Sequence, residues 1–344
     1  MKRKGTAPTI KDVAHLAGVS IATVSRVLNE HPSVRLDTAQ KVKDAMDVLG
    51  YAHTAPAAPS GSHLVIAALP NLSNPFYAEI IVGLQSSAKS HGLEVLLYPE
   101  GNVERRMPQL SALIHSTRAC GLILLSPVSD TDLLDELNTM IPLVQCAEYN
   151  EESPHPYVGV DDVSAARNAT ETLLHAGCRR IALINGPEKY KYARHRRRGY
   201  EEALRHAGLE IDPLLEANVT EMGFDSSMAV AQQMLLAKER PDAILAASDM
   251  YAAAVVKVAA MAGLSIPEDL SLISFDNTYI SQMHQPSVTS VNLPRFQLGY
   301  MAMEVLAERM VSPFSNEPKQ FLLKTELVLR DSVSTGRLRT PVEQ

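Results

Sequence analysis

The stretch TIKDVAHLAGVSIATVSRVLN, which runs from Thr9 to Asn29, contains two short helical patterns separated by a break. In the first pattern, apolar side chains recur at the spacing that lines one face of a helix. Thr9 and Asp12 have the spacing of a capping box, which satisfies free amides at a helix start. Gly18 is predicted to end this helix, since glycine readily adopts the left-handed conformation found there. Ser20 is predicted to cap the second helix.

A third helix is predicted over Leu36–Leu49, so the chain begins with a small all-α unit. Two helices joined by a tight Gly-Val-Ser turn indicate a helix-turn-helix, whose second helix enters the major groove of DNA. The alternative is any small three-helix bundle with the same caps. The outer face of the second helix favours DNA binding, because it carries short side chains and Arg26, whose guanidinium can read a guanine.

Charge is distributed unevenly along the chain. Residues 1–59 carry eight Lys or Arg and five Asp or Glu side chains, a net charge of +3, whereas the whole chain has a net charge of −7. A basic head on an acidic body suggests that only the head meets a polyanion, although a run of charge is more often a solvated face.

The composition limits the classes of protein to which the chain can belong. No uninterrupted apolar run approaches the ~18 residues of a membrane span, and no apolar signal region follows the charged N-terminus. Three scattered cysteines, Cys120, Cys146 and Cys178, lack CxxC pairing, which argues against a disulfide framework or a zinc site. We therefore expect a cytoplasmic protein with no membrane contact, metal or cofactor.

The head is followed by HTAPAAPSGSH, residues 53–63, which contains two prolines and no large apolar side chain. Proline removes a backbone donor and restricts the residue before it, so neither a helix nor a strand forms easily here. This segment is predicted to be a flexible Pro/Ala-rich linker between a head of residues 1–52 and a body of residues 64–344.

The body alternates buried-strand runs with amphipathic stretches. The runs are LVIAAL, LEVLLY, GLILLS, PLVQCA, RRIALING, PDAILAAS and LSLISFD. Amphipathic helices are predicted near residues 77–91 and 107–116. Such alternation predicts parallel sheets in an α/β fold, and two sets of strands predict two lobes. A ligand is expected at the carboxyl ends of the strands.

The motif of the head, followed by a helix ending in LGY, resembles the DNA-binding head of the lactose-repressor/galactose-repressor family. The resemblance implies that Ile21, Ala22 and Arg26 read bases. It implies that the following residues touch the sugar-phosphate backbone: Thr9, Ser20, Thr23, Ser25 and Asn29. Arg35 departs from the family, which usually has a serine at the start of the third helix.

The body is similar to the effector domain of the same family, a relative of periplasmic sugar-binding proteins. Its distinctive pieces are IPEDLSLISFDN and ELVLRDS. The resemblance implies that the effector meets the following residues: Phe76, Tyr77, Ser126, Arg196, Phe224 and Asp276. Tyr77 and Phe224 are expected to sandwich a flat base or a sugar ring. Where the family commonly has an Asp or Asn that contacts ligand, this chain has Ala147, followed by Glu148.

The resemblance implies a cytoplasmic transcription regulator, expected to be a repressor and a homodimer on a palindromic double-stranded DNA operator. Its effector would be a sugar or a nucleoside/purine-like molecule. One alternative is a solute-binding protein without a transcriptional role, which the body alone would support. An α/β enzyme is the other alternative, but the chain has no GxSxG, phosphate-loop, HExxH or GxGxxG motif.

The linker departs from the family, most of which forms a short hinge helix with a leucine that enters the minor groove. Here no leucine stands at that position, and Pro59 would lie where a helix started at Pro56 needs its first donors. The sequence therefore predicts an extended tether and tolerance of variable half-site spacing. Added specificity could then come from another regulator on the same promoter.

Overall fold

The computed structural model of the chain describes residues 10–28, 36–49, 63–99, 103–311 and 319–334. The described helices are α1 (Ile10–Ala17), α2 (Ile21–Leu28), α3 (Leu36–Leu49), α4 (Phe76–Ser90), α5 (Val103–Thr117), α6 (Thr131–Met140), α7 (Asp162–His175), α8 (Lys191–His206), α9 (Phe224–Leu235), α10 (Asp249–Met261), α11 (Tyr279–Met283) and α12 (Arg295–Val311). The described strands are β1 (Leu64–Leu69), β2 (Glu94–Pro99), β3 (Gly121–Leu124), β4 (Leu143–Cys146), β5 (Tyr157–Val160), β6 (Ile181–Asn185), β7 (Glu216–Asn218), β8 (Ala243–Ala246), β9 (Ser271–Asp276), β10 (Thr289–Asn292), β11 (Gln320–Leu323) and β12 (Glu326–Val328).

The head consists of α1, α2 and α3 packed around a small apolar core. One valine from each helix is fully buried there: Val13, Val24 and Val42. At the turn between α1 and α2, Gly18 has a φ of +65°, and the amide of Thr23 donates to Ser20 Oγ at 3.1 Å. The predicted helix-turn-helix is confirmed. The predicted cap at Thr9 lies outside the described residues.

The body contains two six-stranded sheets, which define two lobes. The first lobe has the strand order β11-β5-β4-β3-β1-β2, and all of its pairs are parallel. The second lobe has the order β12-β10-β9-β8-β6-β7, in which only the β12–β10 pair is antiparallel. The predicted α/β body with two lobes and parallel sheets is confirmed.

The chain crosses between the lobes at three places. The first crossing joins β5 to α7, which packs on α8 of the second lobe. The second joins β10 to α12, which packs on α4 of the first lobe. The third separates β11 from β12, which are neighbours in sequence but belong to different sheets. Residues at the carboxyl ends of strands from both sheets line one cleft, and this edge of a sheet is where α/β folds bind ligands.

The predicted elements agree with the observed ones where the apolar runs are long. The helix expected near residues 77–91 is α4 (Phe76–Ser90), and the helix expected near 107–116 is longer, α5 (Val103–Thr117). Among the described residues, no helix is both long and apolar enough to span a bilayer. All of the predicted linker except His63 lies outside the described residues.

Candidate functional site

A cleft lies between the two lobes. Four of the predicted effector residues line it: Phe76, Tyr77, Arg196 and Asp276. Its other lining residues, which the sequence analysis did not select as effector contacts, are Asn74, Leu125, Ala147, Glu148, Val160, Asp162, Tyr190, Tyr192, Met222, Ala247, Ser248, Met250, Tyr251, Leu293 and Leu298. Because the members come from both sheets, a molecule in this cleft contacts both lobes.

The aromatic side of the cleft begins at the first turn of α4. Asn74 Oδ1 accepts a hydrogen bond from the amide of Phe76 at 3.0 Å, which fixes the start of the helix. The rings of Phe76 and Tyr77 meet edge to face, with centroids 5.2 Å apart. Tyr77 is buried, so its ring supports the wall of the cleft as well as lining it.

Arg196 lies on α8 and is held by the protein itself. Its Nε donates to Asp162 Oδ1 at 2.8 Å, and its Nη1 donates to the carbonyl oxygen of Ala247 at 2.7 Å. The guanidinium carbon lies 3.9 Å from the centroid of the Phe275 ring and 4.8 Å from that of Tyr192. Arg196 is therefore a fixed part of the second lobe, with its hydrogen bonds directed to protein atoms.

Asp162 is the buried anion that balances two cations. Besides Arg196, it accepts a hydrogen bond from Lys191 Nζ at 2.8 Å. Burial alone would raise the pKa of Asp162, but the charges of Lys191 and Arg196 outweigh that effect and hold this pKa at about 2. The carboxylate is therefore ionised at neutral pH. The Lys191 ammonium also lies 4.2 Å from the centroid of the Tyr149 ring.

Glu148 connects the two lobes at the first turn of α8. This residue follows β4 of the first lobe, and its carboxylate accepts the amides of Lys191 at 2.7 Å and Tyr192 at 3.2 Å. Burial raises the pKa of Glu148, while the Lys191 charge and the two amide hydrogen bonds oppose that rise. Glu148 follows the departure from the family at Ala147, and its contact with α8 was not predicted from the sequence.

Asp276 ends β9 at the carboxyl edge of the second sheet. Its φ is +98°, an uncommon conformation for a residue with a side chain. Ser248 Oγ donates to its Oδ2 at 3.0 Å. Burial and then the charge of Asp249 raise the pKa of Asp276 to about 6, although Arg196 acts in the opposite direction.

Asp249 lies behind Asp276 and is saturated with hydrogen bonds. Its two oxygens accept from the hydroxyls of Ser274, Ser290 and Thr278 and from the amide of Thr278. Because these donors leave little capacity for a ligand, Asp249 supports the site from behind. Asp276 is the carboxylate that the cleft presents.

Ser126 and Phe224 are not among the lining residues of the cleft. Ser126 is buried just after β3. Phe224 begins α9 and is partly buried, with Lys257 Nζ 6.0 Å from its ring centroid. The structure therefore does not pair Phe224 with Tyr77 across this cleft. The aromatic residues on the second-lobe side are instead Tyr190, Tyr192 and Tyr251.

The predicted DNA-reading residues lie on or beside α2. Ser20 precedes this helix, and its hydroxyl lies 2.9 Å from that of Thr23. Ile21 is partly buried, and Ala22, Ser25 and Arg26 belong to α2, although their side chains lie outside the described part of the structure. Thr9 and Asn29 also lie outside it. Within the described ranges, no group of three or more His, Cys, Asp or Glu side chains could hold a metal ion.

Comparison with known proteins matches both parts of the chain. Residues 9–53 match the model of bacterial regulatory proteins of the lacI family, and residues 170–333 match the periplasmic binding protein-like domain. The HTH-type transcriptional repressor CytR of Escherichia coli (strain K12) is 32% identical over 339 residues, covering 96% of this chain and 98% of CytR.

Two solved structures give the same result. The complex of the transcriptional regulator CelR with cellobiose has a TM-score of 0.73 and 30% identity, covering 94% of this chain and 99% of CelR. The lac repressor dimer bound to operator and the anti-inducer ONPF has a TM-score of 0.71 and 25% identity, covering 95% of this chain and 99% of the repressor. The chain belongs to the lacI family of bacterial regulatory proteins.

Proposed function

We propose that the chain is a sequence-specific DNA-binding transcription regulator that acts as a repressor. A small molecule in the interlobe cleft would set its affinity for DNA. The observation that carries this proposal is the cleft itself, because its walls come from both lobes of a body attached to a helix-turn-helix head. A molecule that favours one arrangement of the lobes changes the population of that arrangement, and thus the affinity of the heads for DNA.

DNA recognition is assigned to α2. Arg26 would donate two hydrogen bonds to a guanine, beside Ile21 and Ala22. The backbone contacts would come from Thr9, Ser20, Thr23, Ser25 and Asn29. One head has a small footprint, so we propose a homodimer on a near-palindromic operator. The relation to the lac repressor dimer supports this arrangement.

The effector is proposed to be a sugar or a nucleoside-like molecule. The CelR relative was solved with cellobiose, and the tyrosines of the cleft offer flat apolar surfaces to either kind of ring. We assign direct contacts with the effector to Phe76, Tyr77 and Asp276. Arg196 also lines the cleft, so the effector can reach its side chain. Phe224 and Ser126 remain proposed contacts for a state in which the lobes are arranged differently.

The linker is proposed to be an extended tether, since two prolines oppose a hinge helix there. With such a tether, the protein would bind operators with variable half-site spacing. Another regulator on the same promoter could supply further specificity. We propose that the protein acts in the cytoplasm. An operator series with base pairs inserted at the centre of the palindrome tests the tolerance of variable spacing. A steep loss of affinity after one or two inserted pairs would indicate a rigid hinge instead.

The test of the function starts from DNA selected in vitro with the purified full chain. Fluorescence anisotropy should show tight binding that weakens steeply with salt, because phosphate contacts release counterions. Arg26→Ala should cost ~1–3 kcal/mol per half-site while the body keeps its thermal response to small molecules. Ligand binding without any sequence-specific DNA binding would favour the solute-binding alternative.

A further inference from the structure

The first turn of α8 is occupied by a carboxylate from the opposite lobe. The amides at a helix start lack partners within the helix and carry partial positive charge, so they attract anions. Here Glu148, which follows β4, accepts the amides of Lys191 and Tyr192. A phosphate or carboxylate on an effector would have to displace Glu148 to reach these donors.

The cations at the cleft are also fully engaged. Arg196 is the one cation among the described lining residues, and its hydrogen bonds go to Asp162 and to the Ala247 carbonyl. Lys191, which lies behind the lining, donates to the same Asp162 carboxylate. An anionic effector would therefore meet positive groups whose charge is already balanced by buried acids.

Carboxylates, in contrast, outnumber cations among the described lining residues of the cleft. The described lining includes three carboxylates, Glu148, Asp162 and Asp276. Glu148 and Asp162 hold protein donors, as described above. Among the described residues, Ser248 is the sole hydrogen-bond donor to Asp276, and it reaches Oδ2. The buried Asp276 carboxylate thus retains acceptor capacity on its cleft side.

We propose that the effector carries hydrogen-bond donors and no negative charge, that Asp276 accepts from those donors, and that Glu148 excludes phosphorylated and carboxylated molecules by occupying the start of α8. Free sugars and nucleosides belong to this class, while their phosphate esters do not. The inference rests on the proposed function, since it specifies what the interlobe cleft selects. It assigns Glu148 as a specificity-determining residue.

The selection is tested with matched pairs of probes on the full-length protein. The pairs are cytidine with cytidine 5′-monophosphate, adenosine with adenosine 5′-monophosphate, ribose with ribose 5-phosphate and glucose with glucose 6-phosphate. Thermal-shift and calorimetric titrations should show any binding pair favouring its uncharged member by at least about tenfold, equivalent to ~1.4 kcal/mol. Equal or tighter binding of a phosphate ester would overturn the proposal.

A second arm needs no effector and decides the role of Glu148 even if no probe binds. Inorganic phosphate is titrated against the wild type and Glu148→Ala at constant ionic strength, and the melting temperature is measured. Glu148→Ala should show a larger phosphate-dependent rise in melting temperature than the wild type, because the amides of α8 become available. Phosphate bound by the head contributes equally to both proteins. The proposal would be contradicted if phosphate raised the melting temperature of both proteins equally, or did not raise that of Glu148→Ala at all.

Glu151→Ala is the matched control for this arm. Glu151 lies in the same loop and contacts His195 on α8 at 2.8 Å, but its side chain is exposed and does not line the cleft. It should behave like the wild type. If Glu148→Ala does not fold, Glu148→Gln replaces it, since glutamine keeps one acceptor and removes the charge. A smaller gain in phosphate response is then expected.

Failure of this inference is distinguishable from failure of the proposed function. A phosphate ester that binds in the cleft and changes operator affinity would refute the charge preference and leave the regulator intact. An uncharged ligand that binds in the cleft without changing operator affinity would refute the proposed regulation and leave the charge preference intact.

Discussion

The two lobes contribute different chemistry to one cleft. The lining from the first lobe is mostly aromatic and aliphatic, with Phe76, Tyr77 and Leu125 on this side and Asn74 and Glu148 as its polar members. The second lobe supplies the ion pair, the Asp276 carboxylate and the hydroxyls; its members are Asp162, Arg196, Asp276, Ser248, Tyr190, Tyr192 and Tyr251. Under the proposed function, the second lobe would orient a ligand by hydrogen bonds, and the first would cover the ligand and remove it from water.

Beneath this difference, the lobes are assembled alike. In each lobe, two helices pack so closely that only glycine fits at the contact: α4 with α12 in the first lobe, and α7 with α8 in the second. A Cβ on Gly299 of α12 would lie 2.0 Å from the Ile80 carbonyl oxygen on α4, and a Cβ on Gly199 of α8 would lie 2.1 Å from that of Val163 on α7. Gly299 and Gly199 do not line the cleft, so this helix packing can be perturbed without changing a lining residue.

The largest effect is expected from Asp162→Asn, which tests the ion pair of the second lobe. The change leaves Lys191 and Arg196 buried without their anion and should lower the free energy of unfolding by ~3–5 kcal/mol. Urea unfolding at pH 7.5 measures it. Asp161→Asn is the control, because Asp161 is more exposed and caps α7 through the Ser164 amide. Asparagine caps as well as aspartate, so a loss as large as that of Asp162→Asn would show that the ion pair is unimportant.

The next effect concerns the helix pairs. Gly299→Ala in the first lobe and Gly199→Ala in the second should each destabilise the protein by ~3 kcal/mol, since the clash is with backbone and no side chain can rotate away. Gly223→Ala is the control, because the nearest atom to its added Cβ is 3.9 Å away. If either close-packed variant unfolds at the same urea concentration as the control, the lobes are not assembled alike.

A smaller effect, of opposite sign, is expected from Asp276→Asn. Burial raises the pKa of Asp276 to about 6, so the folded state binds this proton more tightly than the unfolded state does. The carboxyl therefore lowers stability increasingly as pH rises through about 6. Asp276→Asn should raise the free energy of unfolding by ~1–3 kcal/mol at pH 7.5, and the gain should shrink toward pH 5. A gain independent of pH would contradict this origin.

The raised pKa of Asp276 also predicts how the affinity for the effector depends on pH. A donor on the effector favours the ionised form of Asp276, so affinity should fall as pH drops below about 6. Asp249, Arg196 and Arg295 are the charged groups that act on this carboxyl in the folded protein. Calorimetric titrations between pH 5 and 8 measure the dependence. Affinity that rises at low pH would indicate that protonated Asp276 is the donor.

The sequence predicts the elements whose signals are local. Gly18 and Ser20 predict the turn between the first two helices of the head. The long apolar runs of β1, β3, β8 and β9 predict the parallel sheets. The strands β7, β11 and β12 are short and partly exposed edge strands, so they carry little hydrophobic pattern. The assignment of β11 and β12 to different lobes depends on pairings that sequence proximity cannot indicate.

The site was predictable where a residue stands at a strand end and matches a family motif. Asp276 meets both conditions, whereas Arg196 matches the family motif from within α8, the helix that follows β6. The structure brings both to the cleft. The ion pair of Arg196 with Asp162 has no local signal in the sequence, because Asp162 lies on another helix, α7. The contact of Glu148 with α8 has no local signal either, because these residues are far apart in sequence and meet only across the lobes. Arg196→Ala is therefore expected to weaken the fold as well as the effector response.

The central claim is that a ligand held by Asp276 in the cleft controls DNA affinity. Its most direct test is fluorescence anisotropy on an operator selected in vitro, for wild type and Asp276→Asn, with and without a ligand identified by thermal shift. The account predicts that the ligand changes wild-type operator affinity by about 5- to 150-fold and leaves the affinity of Asp276→Asn unchanged. An undiminished response in Asp276→Asn, or no response in a wild type that binds the ligand, would contradict it.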